Sequence, residues 1–261
     1  MYNELQEDWE FNHLGIFNYK NCEPTHHLRL YHNFITQNHD IIDGDLCEVG
    51  VYQGSSLIAT ALFLREIGSE KKIYGFDSFT GFPPVFHEND RSEIFKTLFK
   101  ENKINKHHYS AYQKLIKQRE ILKEVAVESG RITSVSGNFE NTSRELLERK
   151  IDFLELKNII LVEGAYQDTM IDDSYLAKDV RFMGVWLDCD LYNSYRLALP
   201  FVWGKLMCGG YIHLDEYYSL QYPGARIAVD EFFSGKEDKP RMHGKRTMDF
   251  ERWYVSKNFG D

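Results

Sequence analysis

The chain has 261 residues, of which 43% are apolar and 15% aromatic, so it can form one large domain with a sizeable core. Its formal charge of −9 and its lack of any long block of Lys and Arg argue against a nucleic-acid or anionic-membrane surface. No apolar stretch approaches the roughly 20 residues of a membrane-spanning helix, and the acidic start "MYNELQEDWEF" is unlike a signal peptide. We therefore expect a cytoplasmic protein whose four cysteines are free thiols.

The first 40 residues are rich in aromatic side chains and histidine, and they include one helical stretch, "HLRLYHNFITQ". This pattern predicts an N-terminal helical segment over residues 1–40, before a main domain over residues 41–261. Three histidines lie in or next to the stretch: His26, His27 and His32. We interpret them as a solvated or interface face rather than as a metal cluster.

From residue 41 onwards, short strand patterns alternate with helical patterns. The predicted strands are "GDLCEVG", "KKIYGFD", "NIILVEG", "VRFMGVWLD", "GGYIHLD" and, last, "RWYVSK". The helices between them are "GSSLIATALFLREIG", "NTSRELLERKIDFLEL" with a capping-box signal from Thr142 to Glu145, "YNSYRLALPFVWGKL", and a helix around "ARIAVDEFFSG". This alternation is typical of an α/β fold, with a mostly parallel sheet and helices on both faces.

One stretch, from about residue 83 to residue 130, interrupts the alternation. It is charged and contains two helical patterns, "SEIFKTLFKENK" and "YQKLIKQREILKEV". A structureless loop of that length is uncommon in a compact domain, so we expect a helical insertion over the carboxyl edge of the sheet. Two interpretations stay open, namely a lid over the cleft and a contact with a second subunit of a homo-oligomer.

Polar residues follow five of the predicted strands, at the edge where open α/β sheets bind ligands. After the first strand, the spacing Glu48-x-Gly50-x-x-x-Gly54 predicts a tight turn that a ligand can approach, although a plain turn fits the same spacing. Asp77 ends the second strand. A carboxylate there can accept hydrogen bonds from both hydroxyls of a ribose, or it can cap the next segment.

The fourth and fifth strands end in a second group of acids, which comprises Asp188, Asp215 and Glu216. Carboxylates at neighbouring strand ends repel one another, and a hard divalent cation such as Mg²⁺ or Ca²⁺ relieves that repulsion. Asp190 comes two positions after Asp188, so strand alternation predicts that both face one cleft while the cysteine between them points into the core. His213 shares the face of Asp215, and we interpret it as a hydrogen-bonded core histidine, with a catalytic base as the alternative.

Six segments, taken in chain order, resemble the macrocin O-methyltransferase family: "DGDLCEVGVYQGSS", "YGFDSFTGFPP", "NIILVEGAYQDTM", "WLDCDLYNSY", "GGYIHLDEYY" and "PGARIAVDEFF". The resemblance covers roughly residues 43–233, apart from the insertion. Members of that family depend on S-adenosylmethionine and Mg²⁺, and they are best known for methylating sugar hydroxyls of macrolide and aminocoumarin antibiotics. The resemblance implies a Rossmann-like class I methyltransferase fold with a seven-stranded sheet.

The resemblance also implies a role for each residue at the strand ends. The residues implied for the cofactor are Glu48, Gly50, Val51, Tyr52, Ser55, Asp77, Ser78, Gly164, Tyr166 and Gln167. Among them, the turn after Gly50 would bind the methionine part, Asp77 the ribose, and residues 164–167 the adenine. Asp188, Asp215 and Glu216 are the implied metal ligands. Asp190 is the implied general base.

We therefore predict an O-methyltransferase that uses S-adenosylmethionine and Mg²⁺ to methylate a hydroxyl of a sugar or glycoside. A metal that binds two neighbouring hydroxyls lowers the pKa of the attacking one, and a nearby carboxylate then takes the proton. One alternative is an O-methyltransferase of a catechol or another vicinal diol, which would use the same metal geometry. Another is a non-catalytic scaffold that binds S-adenosylmethionine within a biosynthetic complex.

Overall fold

The computed structural model of the chain describes residues 5–24, 26–122, 139–171, 175–244 and 250–258. Two N-terminal helices come first, α1 (Asp8–Leu14) and α2 (His27–Asn38), and α2 confirms the helix predicted in this region. The later helices are α3 (Ser55–Glu66), α4 (Ile94–Lys100), α5 (Lys106–Leu122), α6 (Arg144–Phe153), α7 (Tyr166–Thr169), α8 (Tyr192–Lys205) and α9 (Pro223–Phe233). None of the described helices is long and apolar enough to cross a membrane.

The described strands form one seven-stranded sheet in the order β3-β2-β1-β4-β5-β7-β6. Their bounds are β1 (Asp45–Val49), β2 (Ile73–Asp77), β3 (Ile159–Glu163), β4 (Phe182–Leu187), β5 (Leu206–Leu214), β6 (Arg241–Met242) and β7 (Trp253–Ser256). Strands β1 to β5 pair in parallel, and β7 runs antiparallel to both β5 and β6. The mostly parallel α/β sheet expected from the sequence is confirmed. The chain order reverses between β1 and β4, which creates a topological switch point.

Helices cover both faces of the sheet. Successive strand residues point to opposite sides, so apolar residues on each side need a covering layer. Leu46 of β1 packs in one apolar cluster with residues of α2 and α3. Its neighbours Cys47 and Val49 pack in a second cluster with residues of α8 and α9. Both faces of β1 are therefore buried, as is usual for a strand in the middle of a parallel sheet. The core fixes the strand ends that carry the polar residues.

The described part of the insertion lies against α9 and the turn that follows β5. Phe95, Leu98 and Ile104 form a small apolar cluster, on which Ile227 of α9 packs. His108 Nε2 lies 2.6 Å from the carbonyl oxygen of Ser219. Residues 123–130 of the predicted insertion are outside the described residues.

One local prediction is wrong in detail, and one short strand was missed. Helix α6 begins at Arg144, and its N-cap is Ser143, whose Oγ accepts a hydrogen bond from the backbone N–H of Leu146 at 3.2 Å. The predicted cap, Thr142, instead donates its hydroxyl proton to the carbonyl oxygen of Tyr52. Strand β6 was not predicted, because two residues are too few to show a period.

Candidate active site

A cavity of about 600 Å³ opens at the carboxyl ends of the strands beside the switch point. Its walls come from the turn after β1, the loop after β2, the turn after β3 and the turn after β4. The residues expected at the cofactor that line it are Gly50, Val51, Tyr52, Ser55, Asp77, Ser78, Gly164, Tyr166 and Gln167. These nine residues come from three separate stretches of the chain, after β1, β2 and β3. Glu48 is the expected cofactor residue that does not line the cavity.

The turn after β1 passes so close to the turn after β4 that only glycine fits. Gly50 has φ +90°, in the region that L side chains rarely adopt. A Cβ atom built there would lie 1.7 Å from the carbonyl oxygen of Asp188. This close approach brings the cavity wall and the acids after β4 together.

Asp77 is bound to backbone N–H groups of the two turns beside it. Its Oδ2 accepts hydrogen bonds from the backbone N–H of Val51 at 2.8 Å and of Tyr52 at 2.9 Å. Its Oδ1 accepts one from the backbone N–H of Phe79 at 2.7 Å. Charge-assisted bonds of this kind are about twice as strong as neutral ones. Asp77 thus shapes the turn that forms the cavity wall, a role that the sequence did not reveal. Its bond to Phe79 is the capping contact that the sequence left open as an alternative.

Glu48 lies beneath the turn rather than in the cavity wall. The residue is 1% exposed, and its Oε1 accepts a hydrogen bond from Ser56 Oγ at 2.8 Å. Its Oε2 is buried and has no hydrogen-bond partner among the described residues. Burial raises the pKa of Glu48 well above its ordinary value.

Three acids converge beside the cavity because of the register between β4 and β5. Leu187 pairs with Leu214, so the residues that follow, Asp188 and Asp215, emerge side by side. Asp188, Asp215 and Glu216 can each place one carboxylate oxygen within 4.8 Å of the others. We call these three residues the carboxylate cluster. Asp188 also lines the cavity and so belongs to both.

The electrostatics of the cluster are those of crowded acids. Burial and the nearby Asp215 raise the pKa of Asp188 to about 7. Burial and the charge of Asp188 raise the pKa of Glu216 well above its ordinary value. Burial also pushes the pKa of Asp215 upwards, but His27 and His213 outweigh burial and hold it well below its ordinary value. An all-oxygen donor set with excess negative charge fits a hard divalent cation.

Asp190 reaches the cavity by a different route from the one predicted. Strand β4 ends at Leu187, so strand alternation does not carry Asp190 to the face of Asp188. Asp190 instead has φ +58°, and the backbone N–H of Leu191 bonds to the carbonyl oxygen of Cys189 at 2.6 Å. This tight turn brings both acids to the cavity wall. A left-handed non-glycine residue of this kind is a strained feature that is common at functional sites.

The interpretation of the N-terminal histidines as a solvated or interface face is wrong for His27 and His32. His27 Nδ1 lies 2.8 Å from Asp215 Oδ1, and His32 is only 3% exposed. No sequence pattern marks His27, since its contact depends on how α2 docks on the sheet. His213, by contrast, is buried and hydrogen-bonded as expected, with Nε2 3.2 Å from Asp215 Oδ1.

The strand order, the reversed strand β7 and the cavity at the switch point define a class I methyltransferase fold. The family model of the macrocin-O-methyltransferases (TylF) matches residues 26–242. The chain belongs to this family.

Two curated relatives come from the genus Streptomyces. The 8-demethyl-8-(2,3-dimethoxy-alpha-L-rhamnosyl)-tetracenomycin-C 4'-O-methyltransferase of Streptomyces olivaceus is 27% identical over 179 residues, which cover 68% of this chain and 54% of that protein. The demethyldecarbamoylnovobiocin O-methyltransferase of Streptomyces niveus is 26% identical over 196 residues, which cover 73% and 58%. The chain thus spans little more than half the length of these relatives.

Two solved structures are similar in fold. The O-methyltransferase NovP has a TM-score of 0.59 at 20% identity, covering 89% of this chain and 78% of NovP. The calicheamicin methyltransferase CalS11 has a TM-score of 0.59 at 22% identity, covering 90% of this chain and 79% of CalS11. At these identities, the similarity establishes the fold.

Proposed function

We propose that this protein transfers a methyl group from S-adenosylmethionine to a hydroxyl of a sugar or glycoside, with the help of a bound Mg²⁺. The observation that carries the proposal is the place of Asp188, which lines the cavity and also belongs to the carboxylate cluster. Because Asp188 belongs to both, the proposed cofactor cavity and the proposed metal site adjoin. This arrangement would bring the methyl donor and the acceptor hydroxyl together. Membership in the macrocin-O-methyltransferase family supports the reaction. The name of the Streptomyces olivaceus relative supports the kind of acceptor, because it describes methylation on a rhamnosyl group.

The cavity walls supply the contacts that S-adenosylmethionine would need. The turn from Gly50 to Ser55 would hold the methionine part, and residues 164–167 would flank the adenine. Asp77 would reach the ribose. Its three backbone hydrogen bonds use most of the roughly four acceptor positions of a carboxylate, so about one remains for a ribose hydroxyl. The acidic surroundings suit the positive charge of the sulfonium.

The carboxylate cluster would hold the metal. Glu216 stands where the family usually has Asp, and its side chain is longer by one methylene. The hydroxyl of Tyr195 lies 2.6 Å from Glu216 Oε2 and fixes the extra length. When bound, Mg²⁺ lowers the pKa of the hydroxyl that it contacts and S-adenosylmethionine supplies the methyl group.

Asp190 would accept the proton from the acceptor hydroxyl. It lines the same cavity as Asp188, it is 8% exposed, and none of the described residues makes a hydrogen bond to its carboxylate. Burial and the neighbouring carboxylates raise its pKa well above the ordinary value. A carboxylate that holds a proton more readily than usual is better suited to act as a general base near neutral pH.

The test is transfer of labelled methyl from S-adenosylmethionine to a panel of nucleotide sugars, glycosides and catechols, with Mg²⁺ or with EDTA. We expect metal-dependent labelling of a sugar, and a loss of about 10²–10⁴-fold in turnover in Asp190→Asn. Asn tolerates the left-handed backbone at this position, so the fold should be kept. Asp152→Asn, on an exposed position of α6, is the matched control. Unchanged turnover in Asp190→Asn would contradict the assignment of the base, and labelling of catechols alone would contradict the assignment of the acceptor.

A further inference from the structure

The imidazole of His27 contacts a predicted metal ligand from a part of the chain outside the sheet. His27 is the first residue of α2, and its Nδ1 lies 2.8 Å from Asp215 Oδ1. The Nε2 of His213 lies 3.2 Å from the same oxygen. Both hydrogen bonds to the Asp215 carboxylate among the described residues thus fall on Oδ1. Oδ2 is left for another partner.

We propose that His27 is a positioning residue of the carboxylate cluster: it fixes the Asp215 carboxylate with one oxygen turned to the imidazoles and the other available to a cation. The inference rests on the proposed function, since it takes Asp215 to be a metal ligand. Partners of this kind orient a ligand and keep it ionised, and their loss commonly weakens metal binding by 10–100-fold.

The rings around His27 keep its imidazole in place. The ring of Trp186 lies 4.9 Å from that of His27 and 4.4 Å from that of His213, centroid to centroid. The Trp186 Nε1–H donates to Asp188 Oδ2 at 3.3 Å. One aromatic group thus contacts both imidazoles that hold Asp215, and it also bonds to a second acid of the cluster. The His27 side chain is 16% exposed, so solvent competes little for its hydrogen bond.

The same N-terminal segment also reaches the cofactor cavity. Phe17 lines the cavity, and its ring lies 5.9 Å from that of His27. The backbone N–H of Phe17 donates to the carbonyl oxygen of Ser55 at 3.1 Å, and Ser55 Oγ donates to the carbonyl oxygen of Gly15 at 2.7 Å. Gly15, Phe17 and His27 therefore connect the turn after β1 with the carboxylate cluster. Docking of this segment completes both parts of the site.

The proposal is tested by Mn²⁺ binding, followed from the electron paramagnetic resonance signal of the free ion in the full-length protein. Asn carries its amide nitrogen at the same number of bonds from Cβ as the His Nδ1, whereas Gln carries it one methylene further. We expect His27→Ala and His27→Gln to weaken Mn²⁺ binding by about 10–100-fold and His27→Asn to stay within about threefold of the wild type. His39→Gln, at the other end of α2, removes an imidazole that contacts Asp40 rather than the cluster, and should change nothing.

The comparison between His27→Asn and His27→Gln keeps the test valid even if the alanine variant does not fold, because both are polar and close in size. Equal Mn²⁺ affinity in the two amide variants and the wild type would overturn the positioning role alone. A nitrogen coupling in pulsed spectra of bound Mn²⁺ that disappears in His27→Ala would also overturn it, since His27 would then be a direct ligand. A wild type that binds no Mn²⁺ would overturn the metal part of the proposed function, and this inference with it.

Discussion

The acids at the two halves of the carboxyl edge of the sheet differ in how many hydrogen-bond partners they have. On the side of β2, Asp77 accepts three backbone hydrogen bonds and holds the turn that forms the cavity wall. On the side of β4 and β5, Asp188 and Glu216 have few partners, and burial and the charge of a neighbouring acid raise their pKa values. Asp215, between them, is held by two imidazoles. A carboxylate that accepts several hydrogen bonds from the protein stabilises the fold. Crowded carboxylates with few hydrogen bonds repel one another, and a bound cation relieves that repulsion. The contrast distinguishes an acid that builds the cavity wall from the acids that we propose bind the metal.

The largest effect is expected where the two halves meet, at Gly50. Gly50→Ala would place a Cβ atom 1.7 Å from the carbonyl oxygen of Asp188, at a φ of +90°. We expect it to lower the free energy of unfolding by at least about 3 kcal/mol, measured by urea denaturation. Gly204→Ala is the control, because its added Cβ would meet no atom within 4 Å and it lies on exposed helix. That variant should be more stable than the wild type by about 0.5–1 kcal/mol. Equal stability of the two variants would show that the two turns are not in close contact.

The paired side of the edge is tested at Asp77. Asp77→Ala removes the acceptor of three backbone N–H groups, so it should lower the free energy of unfolding of the ligand-free protein by about 2–4 kcal/mol. It should also weaken binding of S-adenosylhomocysteine at least tenfold by calorimetry, since the turn and the ribose contact are both lost. Asp77→Asn keeps one acceptor oxygen, so its stability and its ligand affinity should lie between those of the wild type and of Asp77→Ala. Weaker ligand binding with unchanged stability would mean that Asp77 serves the ligand alone.

A smaller and pH-dependent effect is expected at Asp90, an acid that is only half paired. Its Oδ1 accepts a hydrogen bond from the backbone N–H of Tyr192 at 2.8 Å, while its Oδ2 is buried without a partner among the described residues. Burial raises the pKa of Asp90 from its ordinary 3.8 to about 6. Because the folded state binds this proton more tightly than the unfolded state, the stability that it contributes is lost as pH rises through 6.

Asp90→Asn removes the titrating carboxyl group, so the variant should not lose stability in this way as the pH rises. Between pH 4.5 and pH 8, the free energy of unfolding of the variant should rise relative to the wild type by about 1–3 kcal/mol. Comparing the two proteins across pH cancels any effect of the amide that does not depend on pH. A difference that stays constant over this range would contradict the raised pKa, and with it the distinction between paired and unpaired acids.

The parts of the site that the sequence predicted are those with a local pattern. Short apolar runs that alternate with helical patterns predicted the strands. Parallel strands bring their last residues to one edge of the sheet, so Asp77, Asp188 and Asp215 could be placed together. The cavity wall formed by Gly50 and its neighbours was found in the same way, from the glycine spacing.

The rest depended on tertiary contacts that have no pattern in the sequence. The bonds to Asp77 come from backbone N–H groups, which every residue except proline carries. The route of Asp190 depends on a left-handed turn rather than on strand alternation. The contact of His27 with Asp215 spans 188 positions and depends on how α2 docks on the sheet.

The measurement that tests the central claim most directly is Mg²⁺ titration by calorimetry of Asp188→Asn and Asp190→Asn, each saturated with S-adenosylhomocysteine. Asp188 belongs to the carboxylate cluster, and Asp190 lines only the cavity. We predict that Asp188→Asn weakens Mg²⁺ binding at least tenfold, since it removes a carboxylate ligand, and that Asp190→Asn stays close to the wild type. Loss of Mg²⁺ binding in Asp190→Asn, with binding retained in Asp188→Asn, would contradict this division of roles.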